Sequence, residues 1–216
     1  MKMNRIEKMM MNSGVRAAFQ RWVEAPILLR LGGPVKGGDV LEVGCGRGVG
    51  TELILTLFGA KSVHAFDLDP DMVRRARQRF AGWDPNRVTL EEGDATAIHF
   101  PDGKFDAVFD FAALHHVPDW DLALEEIRRV LKPGGAFYFE EVTRPWLNRW
   151  PYRVLFDHPK ENRFTSQEFR AALERRGFRL GTVWTERKGG DFVFGVARLG
   201  KVSLDPTGPV GAGRRP

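Results

Sequence analysis

The apolar positions of the chain change rhythm several times, and each change marks an element. Val15, Ala18, Phe19, Trp22 and Val23 recur at the i, i+3, i+4, i+7 spacing of an amphipathic helix. Pro26 kinks or restarts that helix, and Leu31-Gly32-Gly33 ends it. From Asp39 onward, short apolar runs alternate with helical patterns: DVLEV, a helix over about 51–58, SVHAF, a helix over 70–80, RVTLEE and FDAVFDF. A further amphipathic helix over 119–131 is stopped by Pro133-Gly134-Gly135 and leads into AFYFEEV. Thr165-Ser166-Gln167-Glu168 has the spacing of a capping box and opens a helix that ends at Gly177. Two β-rich runs, FRLGTVWTE and DFVFGVARL, close the pattern.

Strands alternating with helices predict a parallel sheet covered on both faces and joined by right-handed crossovers. The final pair breaks this rule. Only about five residues, 187–191, separate the last two runs, too few for a crossover helix, so they pair as an antiparallel hairpin. The pattern therefore predicts an α/β, Rossmann-like, doubly wound sheet that is mostly parallel and ends in a reversed strand.

Composition narrows the function classes. The 216 residues, 43% hydrophobic and 28% charged, suit one soluble domain with a full core. No window approaches the roughly 18 uninterrupted apolar residues of a membrane span, and MKMNRIEKMMMN lacks an apolar signal-peptide core, so the expected compartment is the cytoplasm. A single cysteine, Cys45, excludes an internal disulfide and a multi-cysteine metal site. The net charge of +5 lies at the ends: residues 1–21 carry +4 and residues 200–216 carry +2, leaving −1 for the rest. With no basic stripe interleaved with stacking aromatics, nucleic acid is disfavoured as a partner.

The chemistry begins at VLEVGCGRGVG, where Gly44, Gly46, Gly48 and Gly50 alternate behind the first strand. Such a turn lets a ligand approach bare backbone at a helix N-terminus. It is not the dinucleotide fingerprint, because Val49 stands where the third glycine of G-x-G-x-x-G belongs, and no GKS or GKT follows for a phosphate loop. The second strand ends in HAFDLDPDM, placing Asp67 where a carboxylate can accept from two vicinal ribose hydroxyls, while Asp69 before Pro70 is the better helix cap. The third ends in EEGDAT, where Asp94 can accept from an exocyclic amine and the following N–H can donate to a ring nitrogen. Three polar features at the carboxyl ends of successive strands describe a nucleoside site.

VLEVGCGRGVG, AFDLDPDMV, EEGDAT, FDAVFDFAALHHVPD and RVLKPGGAFYFEE, in this order over roughly 39–199, resemble the class I S-adenosylmethionine-dependent methyltransferases. The resemblance implies a seven-stranded sheet with a reversed last strand. It also implies an N-terminal helical segment (1–38) capping the active site, a methyltransferase domain (39–199) and a tail (200–216) whose Gly/Pro-rich composition predicts disorder. By motif position, Gly44 and Gly46 would pass under the methionine part of the cofactor, S-adenosyl-L-methionine, with Glu42 orienting the loop. Asp67 would hold the ribose and Leu68 would pack on adenine. Asp94 and the Ala95 N–H would meet the adenine edge, and the backbone around Asp110 and Phe111 would hold the methionine amino group. Asp110 is charged where the family often has a small or neutral residue.

Methyl transfer from a sulfonium needs alignment and exclusion of water, and a base only where the acceptor must lose a proton. The candidates are His115 and His116 after the fourth strand, Glu140 and Glu141 at the end of the fifth, and His158. Consecutive strand residues point to opposite faces, so only one of the two glutamates can face the cleft. These groups match no standard metal spacing, and no metal is expected. The aromatic segment 143–164 is either a lid or a cover for the sheet edge. The expected partner is a small, apolar or aromatic methyl acceptor. The basic amphipathic N-terminus leaves open a quinone or phospholipid acceptor, with weak contact at a membrane surface. A fold that kept its site and lost its reaction is the rival from another class, and a nicotinamide dehydrogenase the rival from the glycine turn alone.

Overall fold

The computed structural model describes residues 9–10, 12–150, 161–180, 184–187 and 189–200. Strand β1 (Asp39–Val43) sets the layering through its own alternation. Val40 joins one apolar cluster and Leu41 and Val43 the other, so each side of the sheet has a core. Strands β2 (Ser62–Asp67), β3 (Val88–Glu92), β4 (Phe105–Phe111) and β5 (Leu131–Val142) lie parallel to it. β8 (Phe192–Leu199) runs antiparallel to β5 and takes β6 (Phe178–Arg179) and β7 (Trp184–Arg187) as antiparallel neighbours. The order is β3-β2-β1-β4-β5-β8-β6. One difference from the sequence pattern is the sixth strand, expected as a single run: two short segments appear there, with residues 181–183 outside the described set.

Helices cover both faces. On one side pack α1 (Gly14–Phe19), a π-turn (Gln20–Glu24), α2 (Ala25–Gly32), α3 (Val49–Thr56) and α4 (Pro70–Arg79); on the other, α5 (Trp120–Val130) and α7 (Ser166–Arg175). A short α6 (Arg144–Leu147) follows β5. The starts follow local chemistry. Asp69 caps α4 by accepting from Asp71 N, and the Thr165–Glu168 capping box opens α7. Residues 201–216 of the expected tail lie outside the described residues.

The first helices do not sit as their apolar rhythm implies. Val15, Phe19 and Trp22 are exposed, at 80%, 49% and 75%, whereas Gln20 and Glu24 are buried. Ala17 and Val23 pack toward the core from the flanks. The polar stripe faces inward because the cavity beneath it offers ionic partners, described below. At the far end, α2 is anchored to β5: Tyr138 Oη lies 3.0 Å from the carbonyl oxygens of Gly32 and Gly33, both accepting.

Gly32 is packed so closely that a Cβ there would lie 2.7 Å from Tyr138 Cζ and from Val196 Cγ2. Alanine's helix propensity favours Gly32→Ala by roughly 1 kcal/mol, but forcing a methyl into a filled core costs about 1–3 kcal/mol. Overlap should dominate. The expected result is a Tm lowered by several degrees in thermal unfolding, and an equal or higher Tm would refute this packing.

Candidate functional site

A cavity of about 340 Å³ opens over the carboxyl ends of β1 to β4. This is the crevice at which strand order reverses, between β2 and β4 on either side of β1. Its floor is the glycine turn. Gly44 takes φ +68°, and a Cβ there would overlap Ala113, so this position accepts neither an L side chain's conformation nor its bulk. Beneath the turn lies Glu42, 1% exposed, its carboxylate accepting from Thr51 Oγ1. A Cβ at Gly50 would overlap the same carboxylate. Burial pushes Glu42 up to about 8; Asp67 and Asp110 add to the rise, and the Thr51 hydroxyl opposes it.

At the end of β2, Asp67 lines the cavity. Its Oδ2 accepts from Gly46 N and its Oδ1 from Asp69 N, each at 2.8 Å, so one carboxylate joins the glycine turn to the start of α4. The sequence pattern foresaw Asp69 as the cap but not these backbone bonds to Asp67. Leu68 lines the cavity and is 43% exposed. Asp94 and buried Ala95 line it beyond β3, with Asp94 Oδ1 accepting from Thr96 N and Oγ1 at 2.9 and 2.8 Å.

The loop after β4 contributes Phe111, Ala112, Ala113 and His116 to the lining. Ala112 adopts φ +61°, an unusual conformation for a residue with a Cβ, costing of order 1–3 kcal/mol. The loop is held from below. Asp110 Oδ1 accepts from Ala113 N at 2.8 Å, and Glu141 accepts from Leu114 N and His115 Nδ1, both at 2.7 Å. Asp110 and Glu141 are both fully buried, and burial, followed by the Glu141 charge, pushes Asp110 well above the usual carboxylate range.

The two histidines therefore separate. His115 is buried against Glu141, and burial, reinforced by Arg16 and Arg163, lowers its pKa to about 3. It is a neutral structural donor. His116 is the histidine at the cavity. Glu140 and Glu141 leave β5 on opposite faces as strand alternation requires, yet both are buried and neither lines the cavity. Glu140 instead faces the N-terminal helices, where Arg16 Nη2 lies 4.0 Å away. His158 lies outside the described residues. In the aromatic segment, Phe164 is core and Trp146 packs on Phe192 at 4.9 Å; none of its described residues lines the cavity.

Sequence reasoning expected an N-terminal cap but named none of the residues by which it lines the cavity. Asn12, Arg16, Ala17 and Gln20 line the cavity from the N-terminal helices, and Arg16 Nη1 donates to Glu24 Oε2 at 2.5 Å. The signal was present as Arg16, Gln20 and Glu24 at four-residue spacing, a stripe ordinarily read as solvated. The roof is tied down by Arg47 Nη2 donating to Ser13 O at 2.7 Å and by Arg21 and Arg79 sharing Glu52. No group of three or more His, Cys, Asp or Glu among the described residues is arranged to hold a metal ion.

Comparison with known proteins places the chain among methyltransferases. Residues 40–135 match a family model described as a methyltransferase domain. The chain is 37% identical over 128 residues to a fatty-acid O-methyltransferase of Mycolicibacterium smegmatis, covering 58% of this chain and 44% of that protein. It is 34% identical over 164 residues to a 2-methyl-6-phytyl-1,4-hydroquinone methyltransferase of Synechocystis, covering 69% and 49%. The chain thus spans about half the length of the curated relatives it matches. Among solved structures, a SAM-dependent methyltransferase from Aquifex aeolicus superposes with a TM-score of 0.70 at 23% identity, covering 91% of this chain and 98% of that one.

The Glu42 carboxyl yields a prediction. Between the unfolded carboxyl pKa, near 4.3, and the folded value of about 8, the folded state holds a proton that the unfolded state has released. Its contribution to stability therefore falls as pH rises through this window, by up to about 1.4 kcal/mol per pH unit. In Glu42→Gln, which can still accept from Thr51, the fall in stability between pH 5 and pH 8 should be shallower by that share. Denaturant titrations at several pH values would show it; parallel profiles would mean Glu42 titrates normally.

Proposed function

We propose that this chain, which belongs to the class I S-adenosylmethionine-dependent methyltransferases, transfers a methyl group to a small apolar acceptor under a roof formed by its N-terminal segment. The observation that carries the reading is one cavity bounded at once by the glycine turn, Asp67, Asp94, the loop after β4 and the polar face of the first helices. S-adenosylmethionine supplies an electrophilic methyl on a good leaving group, so the chain's task is alignment and exclusion of water.

The residues fit such a group. Asp67, its plane set by two backbone donors, would accept from the ribose hydroxyls. Leu68 would cover the adenine face, and Asp94 with Ala95 N–H would meet its edge. Gly44 and Gly46 leave the backbone open to the methionine part, Glu42 props that turn, and the Phe111 backbone would receive the amino group beside Asp110. His116 is the candidate to take a proton from an ionisable acceptor, since His115 is locked to Glu141 and Glu140 is turned to the roof. We read 1–38 as the cap and 39–199 as the catalytic domain. The matched relatives named for a fatty acid and a phytyl hydroquinone support a lipophilic acceptor.

Asp67→Ala should weaken S-adenosylmethionine binding at least tenfold in calorimetry, and wild-type affinity would remove the central assignment. Incubating the wild type with isotopically labelled cofactor and a metabolite extract should label an apolar small molecule detectable by mass spectrometry. Binding without any labelled product would favour a non-catalytic module.

A second reading has its own observation. Val15, Phe19 and Trp22 form an outward stripe at i, i+4, i+7 on the roof, in a region whose first 21 residues carry +4. An apolar stripe among basic residues suits an anionic lipid surface, from which a lipid-borne acceptor would enter directly beneath. No helix of the described residues is long and apolar enough to cross a membrane. The protein should sediment with phosphatidylserine vesicles, and Phe19→Asp with Trp22→Asp should abolish this. Failure of the wild type to sediment would dispose of the reading.

A further inference from the structure

We propose that Arg16 forms a carboxylate subsite at the β4–β5 end of the cavity, filled by the amino-acid carboxylate of the cofactor. The inference rests on the methyltransferase reading above and adds a residue and a ligand group to it. It starts from a guanidinium that has more donors than partners. Arg16 lines the cavity with its side chain only 18% exposed, and among the described residues the guanidinium makes one hydrogen bond, from Nη1 to Glu24. Arginine carries five N–H donors in a fixed fork that matches a carboxylate bidentately. Glu140 Oε2, 4.0 Å from Nη2, is beyond hydrogen-bond reach and has no hydrogen-bond partner among the described residues.

Position along the sheet assigns the ligand. With strand order β3-β2-β1-β4-β5, the adenine acceptor Asp94 lies past β3, the ribose acceptor Asp67 ends β2, and the glycine turn follows β1. Each strand step is about 4.8 Å. Arg16 faces Glu140 of β5, whose sheet partner in β4 is Phe111. A ligand laid from Asp94 toward Arg16 thus brings its amino-acid end, and not its base, under the guanidinium. Among the described residues, Arg47 is the other lysine or arginine in the lining. It lies beside Arg75 and Arg79 of α4, at the ribose end, and spends Nη2 on Ser13 O.

The roof is built to hold Arg16 there. At 3.6 residues per turn, positions 16, 20 and 24 would drift about 40° per step. The wider π-turn over Gln20–Glu24 reduces that drift, keeping Glu24 on the inner face with Arg16. Glu24 and Glu140 flank one guanidinium, and burial, followed by the neighbouring Glu24 charge, pushes Glu140 above the usual carboxylate range, which lessens the negative charge facing an incoming carboxylate.

A carboxylate has two sources in this reaction, the cofactor and an acidic acceptor, and binding measurements separate them. In Arg16→Gln/Glu24→Gln, which avoids stranding a buried anion, S-adenosylmethionine and S-adenosylhomocysteine should bind about tenfold to a hundredfold more weakly. 5′-Methylthioadenosine, which lacks the amino-acid end, should bind as to wild type and certifies an intact nucleoside site. Arg16→Lys should lose less, and Arg47→Gln should not discriminate between the ligands. Unchanged S-adenosylhomocysteine affinity combined with lost decanoate binding to the loaded protein would overturn the cofactor assignment in favour of an acid acceptor. Equal weakening of all three nucleosides, or no change in any ligand, would overturn the subsite altogether.

Discussion

Two consecutive buried glutamates, Glu140 and Glu141, fix the parts of the site that the sheet cannot reach. Strand alternation sends them to opposite faces of β5. Glu141 holds the loop after β4 through Leu114 N, His115 N and His115 Nδ1, and so sustains the left-handed turn at Ala112. Glu140 reaches the other way toward Arg16 and the roof. Both are almost wholly shielded from water, and removing either partner would leave uncompensated buried polarity, commonly a cost of several kcal/mol. One dipeptide therefore couples floor and roof.

The roof itself reverses the usual logic of an amphipathic helix. Packing its apolar stripe inward would gain roughly 1.5–3 kcal/mol per large side chain, yet Val15 and Trp22 face outward. What offsets this is ionic: Arg16 with Glu24, Arg21 with Glu52, and Arg47 on Ser13 O all join the first helices to the domain or order their inner face. Inner-face pairs are shielded from water and salt more than surface pairs are, so they can outweigh apolar contact where the cavity demands polarity.

Much of this was legible in the residues. The succession of strands and helices, the reversed end and the helix starts follow from periodicity, loop length and capping, which are local and strong; Asp69 and Thr165 act as their spacing implies. The cavity-lining residues Gly44, Gly46, Asp67, Leu68, Asp94, Ala95 and Phe111 cluster because they all end strands. What the sequence could not show was orientation against distant elements. His115 and His116 are indistinguishable as letters, and only the long-range pairing of His115 with Glu141 separates them. The same holds for Arg16, which bonds Glu24 of its own segment but faces Glu140, more than a hundred residues away. The broken sixth strand reflects a break in pairing, which periodicity does not record.

The electrostatics of the cavity finally bear on the glycine turn. A strand–turn–helix with bare backbone could cradle a phosphate at the N-terminus of α3. Its surroundings argue otherwise: among the described residues, Asp67, Asp69, Asp94 and Asp119 line the same cavity as two arginines, Arg16 and Arg47. A pyrophosphate would meet this acidic wall with two charges of the same sign, in a space too shielded for solvent to screen them well. A sulfonium with an ammonium nearby meets it with opposite charge, and its lone carboxylate has Arg16. The turn is open to a ligand that is cationic at its reacting centre, and the acids around it select against the dinucleotide that its glycines alone would admit.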